Sequence, residues 1–269
     1  MTDDTPPIKR ILSGLPGDEL YTLEQPEPGK DYLDLMEQRR WAFWNSKPDD
    51  EKSHYQGYDV TPELLKNSLA RQVHAELAAI HAPNLSLQVC PWQEAKLWYA
   101  RQMNEEGRHF RLVRDHLLEL GGTWDDDYAP DFAEWNQLFS LFMNLDNHFF
   151  LDKRKEVIAR AAVLNFGIEG WDHLYVQPLF LEKIRDVDPT LFEIYDEVIM
   201  PDETIHYQIG QFILGEYATT TELQRVGVEY LDRQLIAHHR VNAAFKRYHE
   251  EKDEAAGAGA GQDHADAGH

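Results

Sequence analysis

Glutamate and histidine side chains recur in this chain on the helix face that ought to exclude them. Laid out at the helical period, the segment after Pro91-Trp92 carries Glu106 on its apolar stripe, with Tyr99, Met103, His109, Phe110 and Val113 within about 60° of it. Arg101, Arg108 and Arg111 point to the other side. In the segment after Thr190, Glu203 shares its stripe with Phe192, Ile199, Met200, Tyr207, Gly210 and Leu214, and His206 has the offset from Glu203 that His109 has from Glu106. Two further segments turn one glutamate inward each: Glu76 with Leu69, Val73, Ala79 and Ile80, and Glu169 with Ala162, Phe166, Val176 and Phe180. The order Glu76, Glu106-x-x-His109, Glu169, Glu203-x-x-His206 reads as one helix pair used twice.

Four inward carboxylates are untenable by themselves. Each ion costs several kcal/mol to desolvate, and like charges at close range push one another to protonate. Two divalent cations would balance the four glutamates and leave both imidazoles neutral. An i, i+3 spacing sets the Glu and His of one helix side by side, while single glutamates from the other helices bridge or chelate. Oxygen and imidazole donors with open positions suit iron, with manganese as the other candidate, and disfavour metals that prefer thiolate.

The rest of the chain reads as helix. Thr61-Pro62-Glu63 is a cap with proline at the first helical position, and the helix it opens is expected to stop at Pro83. Gly121-Gly122 ends the next one. Further helices are expected over about 131–150, 153–184, 190–217 and, capped by Thr220 or Thr221, as far as about Glu250. No run alternates apolar and polar residues with β-branched enrichment, so the expected class is all-α. Residues 1–60, proline-rich with one amphipathic stretch near Asp31–Asn45, read as an irregular arm packing on a helical domain over 61–252. The Ala/Gly-rich residues 253–269 read as a disordered tail.

Composition removes other classes. With 26 Lys+Arg against 48 Asp+Glu, the formal net charge is −22, which repels nucleic acid and anionic lipid surfaces. One cysteine, Cys90, allows neither an internal disulfide nor a Cys-x-x-Cys metal site. The N-terminus has no apolar leader and no long apolar run occurs, so a cytoplasmic setting without membrane contact is expected.

These residues resemble the ferritin-like di-iron carboxylate superfamily, over about residues 61–216. Glu105-Glu106-Gly107-Arg108-His109 looks like its [Asp/Glu]-Glu-x-Arg-His motif and Asp202-Glu203-Thr204-Ile205-His206 like its Asp-Glu-x-x-His. The Arg-His-Phe-Arg-Leu and Ile168-Glu169-Gly170 stretches are most similar to a poorly characterised bacterial ferritin-like group. The resemblance implies a ferritin-like four-helix bundle with an added N-terminal arm and C-terminal helix. It also implies Glu76, Glu106, His109, Glu169, Glu203 and His206 as ligands of two iron ions. Asp202 is placed to hold a ligand histidine by its second ring nitrogen, and Glu105 is its counterpart or a solvated group. Asp196, Asp172 and His173 are candidates for further partners or ligands, and Pro201 is expected to break or kink the helix. Tyr99, Met103, Phe110, Phe166 and Tyr207 either line a substrate pocket or belong to the core.

The implied function is an oxygen-activating oxidoreductase that hydroxylates or oxidises a small organic substrate with dioxygen. Glu106 and Glu203 are the glutamates expected to carry the chemistry. With no rubredoxin-like cysteine pairs, electrons would come from an external donor such as a ferredoxin or reductase. An iron-handling or peroxide-scavenging protein of ferritin or rubrerythrin type is the alternative, and a tRNA hydroxylase a third, against which the charge argues. A homodimer is compatible with either main reading.

Overall fold

The computed structural model describes residues 30–47, 60–128, 130, 133–144 and 151–262, with side chains up to 247. All regular structure among them is helical: α1 (Lys30–Asn45), α2 (Pro62–Val89), α3 (Gln93–Glu119), α4 (Ala133–Met143), α5, α6 and α7 (Thr221–Gln262). α5 runs as Lys153–Ala161, a π-helical Ala162–Glu169, a second π-helical stretch Asp172–Val176 and Gln177–Ile184. α6 runs as Pro189–Ile194, a π-helical Tyr195–Ile199 and Met200–Tyr217. Among the described residues no helix is long and apolar enough to cross a membrane.

The helix ends follow local chemistry. Thr61, extended at φ −102°, accepts the Leu64 amide at 3.3 Å, and Pro62 follows where its missing N–H costs nothing. Gly121 sits at φ 76°, and the Gly122 and Gly121 amides bond to the Leu117 and Leu118 carbonyls at 2.9 and 3.0 Å, closing α3 in a Schellman arrangement. Thr220 rather than Thr221 caps α7, its hydroxyl accepting from the Leu223 amide.

Three expectations about helix ends fail. Pro83 lies inside α2, which continues to Val89 because Ala82, Leu87 and Val89 pack into the main apolar cluster and outweigh the lost hydrogen bond. Pro201 ends nothing either: the chain is already helical through the π stretch and Pro201 takes a first-turn position of Met200–Tyr217. α7 runs to Gln262, past the expected end, so only 263–269 of the expected tail lie outside the described residues. Of the expected arm, 1–29 and 48–59 lie outside them. Its amphipathic stretch is helix α1, with Tyr32, Met36, Arg39, Arg40 and Phe43 buried against the rest.

α2, α3, α5 and α6 surround one interior, and each crosses two apolar layers. One layer holds Leu65, Leu69 and Val73 of α2, Val113 and Leu117 of α3, Phe180 and Ile184 of α5, and Leu191, Tyr195 and Ile199 of α6. The other holds Ala78 and Ala82, Ala95 and Tyr99, Val157 to Phe166, and Ile209 and Ile213 of the same helices. The inward glutamates lie at the join between the layers on all four. The order of layers makes α2 parallel to α6 and α3 parallel to α5, the long connection through α4 joining the parallel pair. α6 comes close to α5 at Gly210, where a Cβ would lie 2.6 Å from the Phe166 amide nitrogen. α7 covers α5 and α4 on the outside, and α1 lies against α6 and α7.

Candidate metal centre

At the join, all six expected ligand side chains converge. Glu76, Glu106, His109 and Glu203 each offer a donor atom within 4.8 Å of the others, and so do Glu106, Glu169, Glu203 and His206. Glu106 and Glu203 belong to both sets. All six residues are buried. These groups could hold a metal ion.

Both imidazoles turn Nδ1 inward. His109 Nδ1 lies 3.3, 3.6 and 3.7 Å from carboxylate oxygens of Glu106, Glu203 and Glu76. His206 Nδ1 lies 3.1 and 3.2 Å from Glu106 and Glu203. Their outer nitrogens are held crosswise: His109 Nε2 meets Asp202 Oδ2 at 2.9 Å, and His206 Nε2 meets Glu105 Oε2 at 3.1 Å. The residue before the central glutamate of α6 thus holds the histidine of α3, and the residue before that of α3 holds the histidine of α6. Arg108 donates to Asp202, and Arg101 donates to Glu105 at 2.8 Å.

Side-chain amides fix the carboxylates. Gln72 Nε2 donates to Glu76 at 2.7 Å, while Gln102 Nε2 lies 3.0 Å from Glu106 and 3.1 Å from Glu169, so one amide ties two carboxylates. Asn165 holds Gln102 in turn, donating to its Oε1 at 2.8 Å and to the His206 carbonyl at 3.2 Å.

The charge balance shows what this arrangement needs. Burial disfavours the His109 imidazolium, but Glu106, Glu76 and Glu203 raise its pKa to about 11. Against the same burial, Glu106 and Glu203 hold His206 well above its usual range. Burial opposes ionisation of Glu106 too, yet the two histidines keep its carboxyl far below the usual value. Glu76 and Glu169 are pushed up, first by burial and then by the neighbouring carboxylates. Glu105 and Asp202 stay low despite burial because each faces a histidine and an arginine. Protons on the imidazoles therefore do part of the work of a cation.

The fit to a cation is visible in two atoms. Glu106 Oε2 and His109 Nδ1 are buried and make no hydrogen bond. They lie 3.3 Å apart in a contact without hydrogen-bond geometry, and a cation coordinated by both would satisfy them better than they satisfy each other. Imidazoles held from behind by carboxylates are the usual support of a metal ligand.

Among the other candidates, Asp196 is exposed. It lies within the π-helical Tyr195–Ile199, and a π turn rotates what precedes it by roughly 100° relative to a straight helix ending at Glu203. Asp172 pairs with His238, with 3.4 Å between its Oδ1 and Nε2, and is in neither set of converging donors. His173 Nε2 lies 3.3 Å from Thr204 Oγ1, next to Glu203, and burial lowers its pKa.

A partly open cavity of about 110 Å³ reaches the site, with Glu76, Glu106, Glu169 and Glu203 in its wall. None of Tyr99, Met103, Phe110, Phe166 and Tyr207 lines it. Tyr99 is in the apolar core, and Phe166 and Tyr207 clamp the Arg40 guanidinium, whose carbon lies 4.6 and 4.8 Å from their ring centres. Phe110 packs on Trp124. The wall is aromatic through Trp135, Phe139 and Phe142 of α4 and Phe245 of α7.

Sequence reasoning also missed Gln72, Gln102, Arg101 and Asn165. Each stands four residues before an inward or supporting glutamate, a spacing that puts donor and acceptor on one helix face. His238 of α7 is buried and stacks on Trp171. No family model, curated protein or solved structure compared with this chain matches it.

Proposed function

We propose that this chain is a dinuclear, carboxylate-bridged metalloprotein with a ferritin-like four-helix bundle, acting as an oxygen-dependent oxidase or hydroxylase of a small organic molecule. The observation that carries this reading is the pair of overlapping donor sets sharing Glu106 and Glu203 at the wall of a cavity. Glu76 and His109 would hold one ion, Glu169 and His206 the other, and the shared glutamates would span both. Iron suits four carboxylates and two imidazoles, as does manganese. Bound iron would supply the one-electron steps through which dioxygen reacts with closed-shell organic molecules.

The protein's own part is positional. Asp202 and Glu105 fix which imidazole nitrogen faces inward, and their arginines keep both carboxylates charged. Gln102 donates to Glu106 and Glu169 on their Oε1 side, leaving Oε2 of Glu106 without a hydrogen bond. The apolar layers above and below exclude water. Arg101 and Arg108, engaged at the site, do not make a free basic face, which weighs against a tRNA substrate. Electrons would come from a separate donor protein.

Anaerobic loading with Fe(II), metal analysis and exposure to dioxygen test this reading. About two metals per chain, with dioxygen consumed and a transient visible band, is the expected outcome. A protein that takes up no metal and melts at the same temperature with or without it would refute it.

A further inference from the structure

The cavity carries an assignment of substrate class, which rests on the reading above. We infer that it receives an uncharged molecule of one six-membered ring bearing one hydrogen-bond donor, a phenol-like compound, with that donor on Gln177.

Size sets the first limit. A cavity of about 110 Å³ is smaller than the ~150 Å³ apolar cavity that takes a benzene molecule in an engineered protein. One ring is therefore the upper limit, and two do not fit. The wall chemistry sets the second limit. Trp135 stacks on Phe139 at 4.9 Å and meets Phe245 edge-on at 5.7 Å, presenting aromatic faces and edges of the kind another ring packs against.

Charge sets the third limit. The wall holds the carboxylates of Glu76, Glu106, Glu169, Glu203 and Asp172 against the single guanidinium of Arg71. Even with the four glutamates compensated by metal, an anionic ring would be desolvated beside Asp172 with little to gain.

Gln177 sets the fourth. It lines the cavity, is 9% exposed, and its Oε1 is buried without a hydrogen bond. A buried acceptor left unmade is unfavourable, and a ligand O–H or N–H reaching it removes that cost. Gln177 follows directly on the π-helical Asp172–Val176, in the same helix as Glu169. A ring anchored there lies in the cavity whose wall contains the four glutamates.

The test is calorimetric titration of phenol, toluene and benzoate into the zinc-loaded protein, zinc being redox-inert. Phenol should bind more tightly than toluene, and benzoate most weakly. Gln177→Leu should weaken phenol roughly 3- to 10-fold and leave toluene unchanged, with no fall in melting temperature, since it removes an unpaired polar atom. A merely structural glutamine would lower the melting temperature instead. Ala79→Phe, on the cavity wall, should abolish binding of both compounds at unchanged zinc content. Absence of phenol binding, a preference for benzoate, or an unaltered phenol affinity in Gln177→Leu would each overturn the assignment. Should the protein bind no zinc, the metal reading fails separately, and the same titrations on the metal-free protein decide the cavity.

Discussion

His109 on α3 and Asp202 on α6 meet at 2.9 Å through Nε2 and Oδ2, and His206 on α6 meets Glu105 on α3 at 3.1 Å in the converse sense. Each pair locks a ring whose other nitrogen faces the buried glutamates, so neither helix can rotate without disturbing a histidine of the other. Asp202→Asn and Glu105→Gln should each lower metal affinity about 10- to 100-fold with little change in helix content. Competition against a chromophoric chelator measures this, and equal effects of the two variants are expected from the crosswise arrangement.

The two donor sets predict unequal consequences for the glutamates. Glu106→Ala removes a group common to both sets and should abolish uptake. Glu76→Ala or Glu169→Ala removes a group belonging to one set and should leave about one metal per chain. Metal analysis after gel filtration distinguishes these cases.

Protons and metal compete for the same atoms. The neighbouring carboxylates favour the imidazolium of His109, whose pKa is raised to about 11, and push His206 in the same direction in the metal-free protein. Metal uptake should therefore release protons, measurable with a pH indicator in weak buffer, and its affinity should rise with pH. For the metal-free protein the sign is opposite. A raised histidine pKa gives stability that is complete below about 6.5 and is lost as pH rises through the folded value. The melting temperature of the metal-free protein should thus fall between about pH 7 and 11, and the fall should be smaller when metal is bound.

Gly210 tests the contact of α6 with α5. A methyl group there would press on the Phe166 amide, so Gly210→Ala should cost about 1–3 kcal/mol in urea denaturation. Because the same contact positions His206 and Glu203 against Glu169, metal affinity should drop with it.

The six converging side chains were legible because acidic residues on an apolar stripe conflict with burial, and that conflict survives small errors of phase. Asp196 was not legible, since the stretch Tyr195–Ile199 changes the helical period between it and Glu203. The cavity was illegible for another reason. Much of its aromatic wall comes from α4 and α7, and helical periodicity says which face of a helix is apolar without saying which other helix meets it. Phe166 and Tyr207 were placed on the correct stripes, but they face Arg40 of α1, a partner from a segment read as irregular. Pro83 shows the limit of local rules, where long-range packing keeps a helix going past a residue that opposes it.

The π-helical stretches in α5 and α6 are departures that backbone energetics alone does not favour. Removing a single residue from Ala162–Glu169 would let the backbone relax into an ordinary α-helix, and the resulting rod would be more regular. It would also aim Glu169 away from its companions. The irregular backbone is what brings Glu169 into register with the other three glutamates, so a deletion that restored a uniform helix would keep the rod and scatter the cluster.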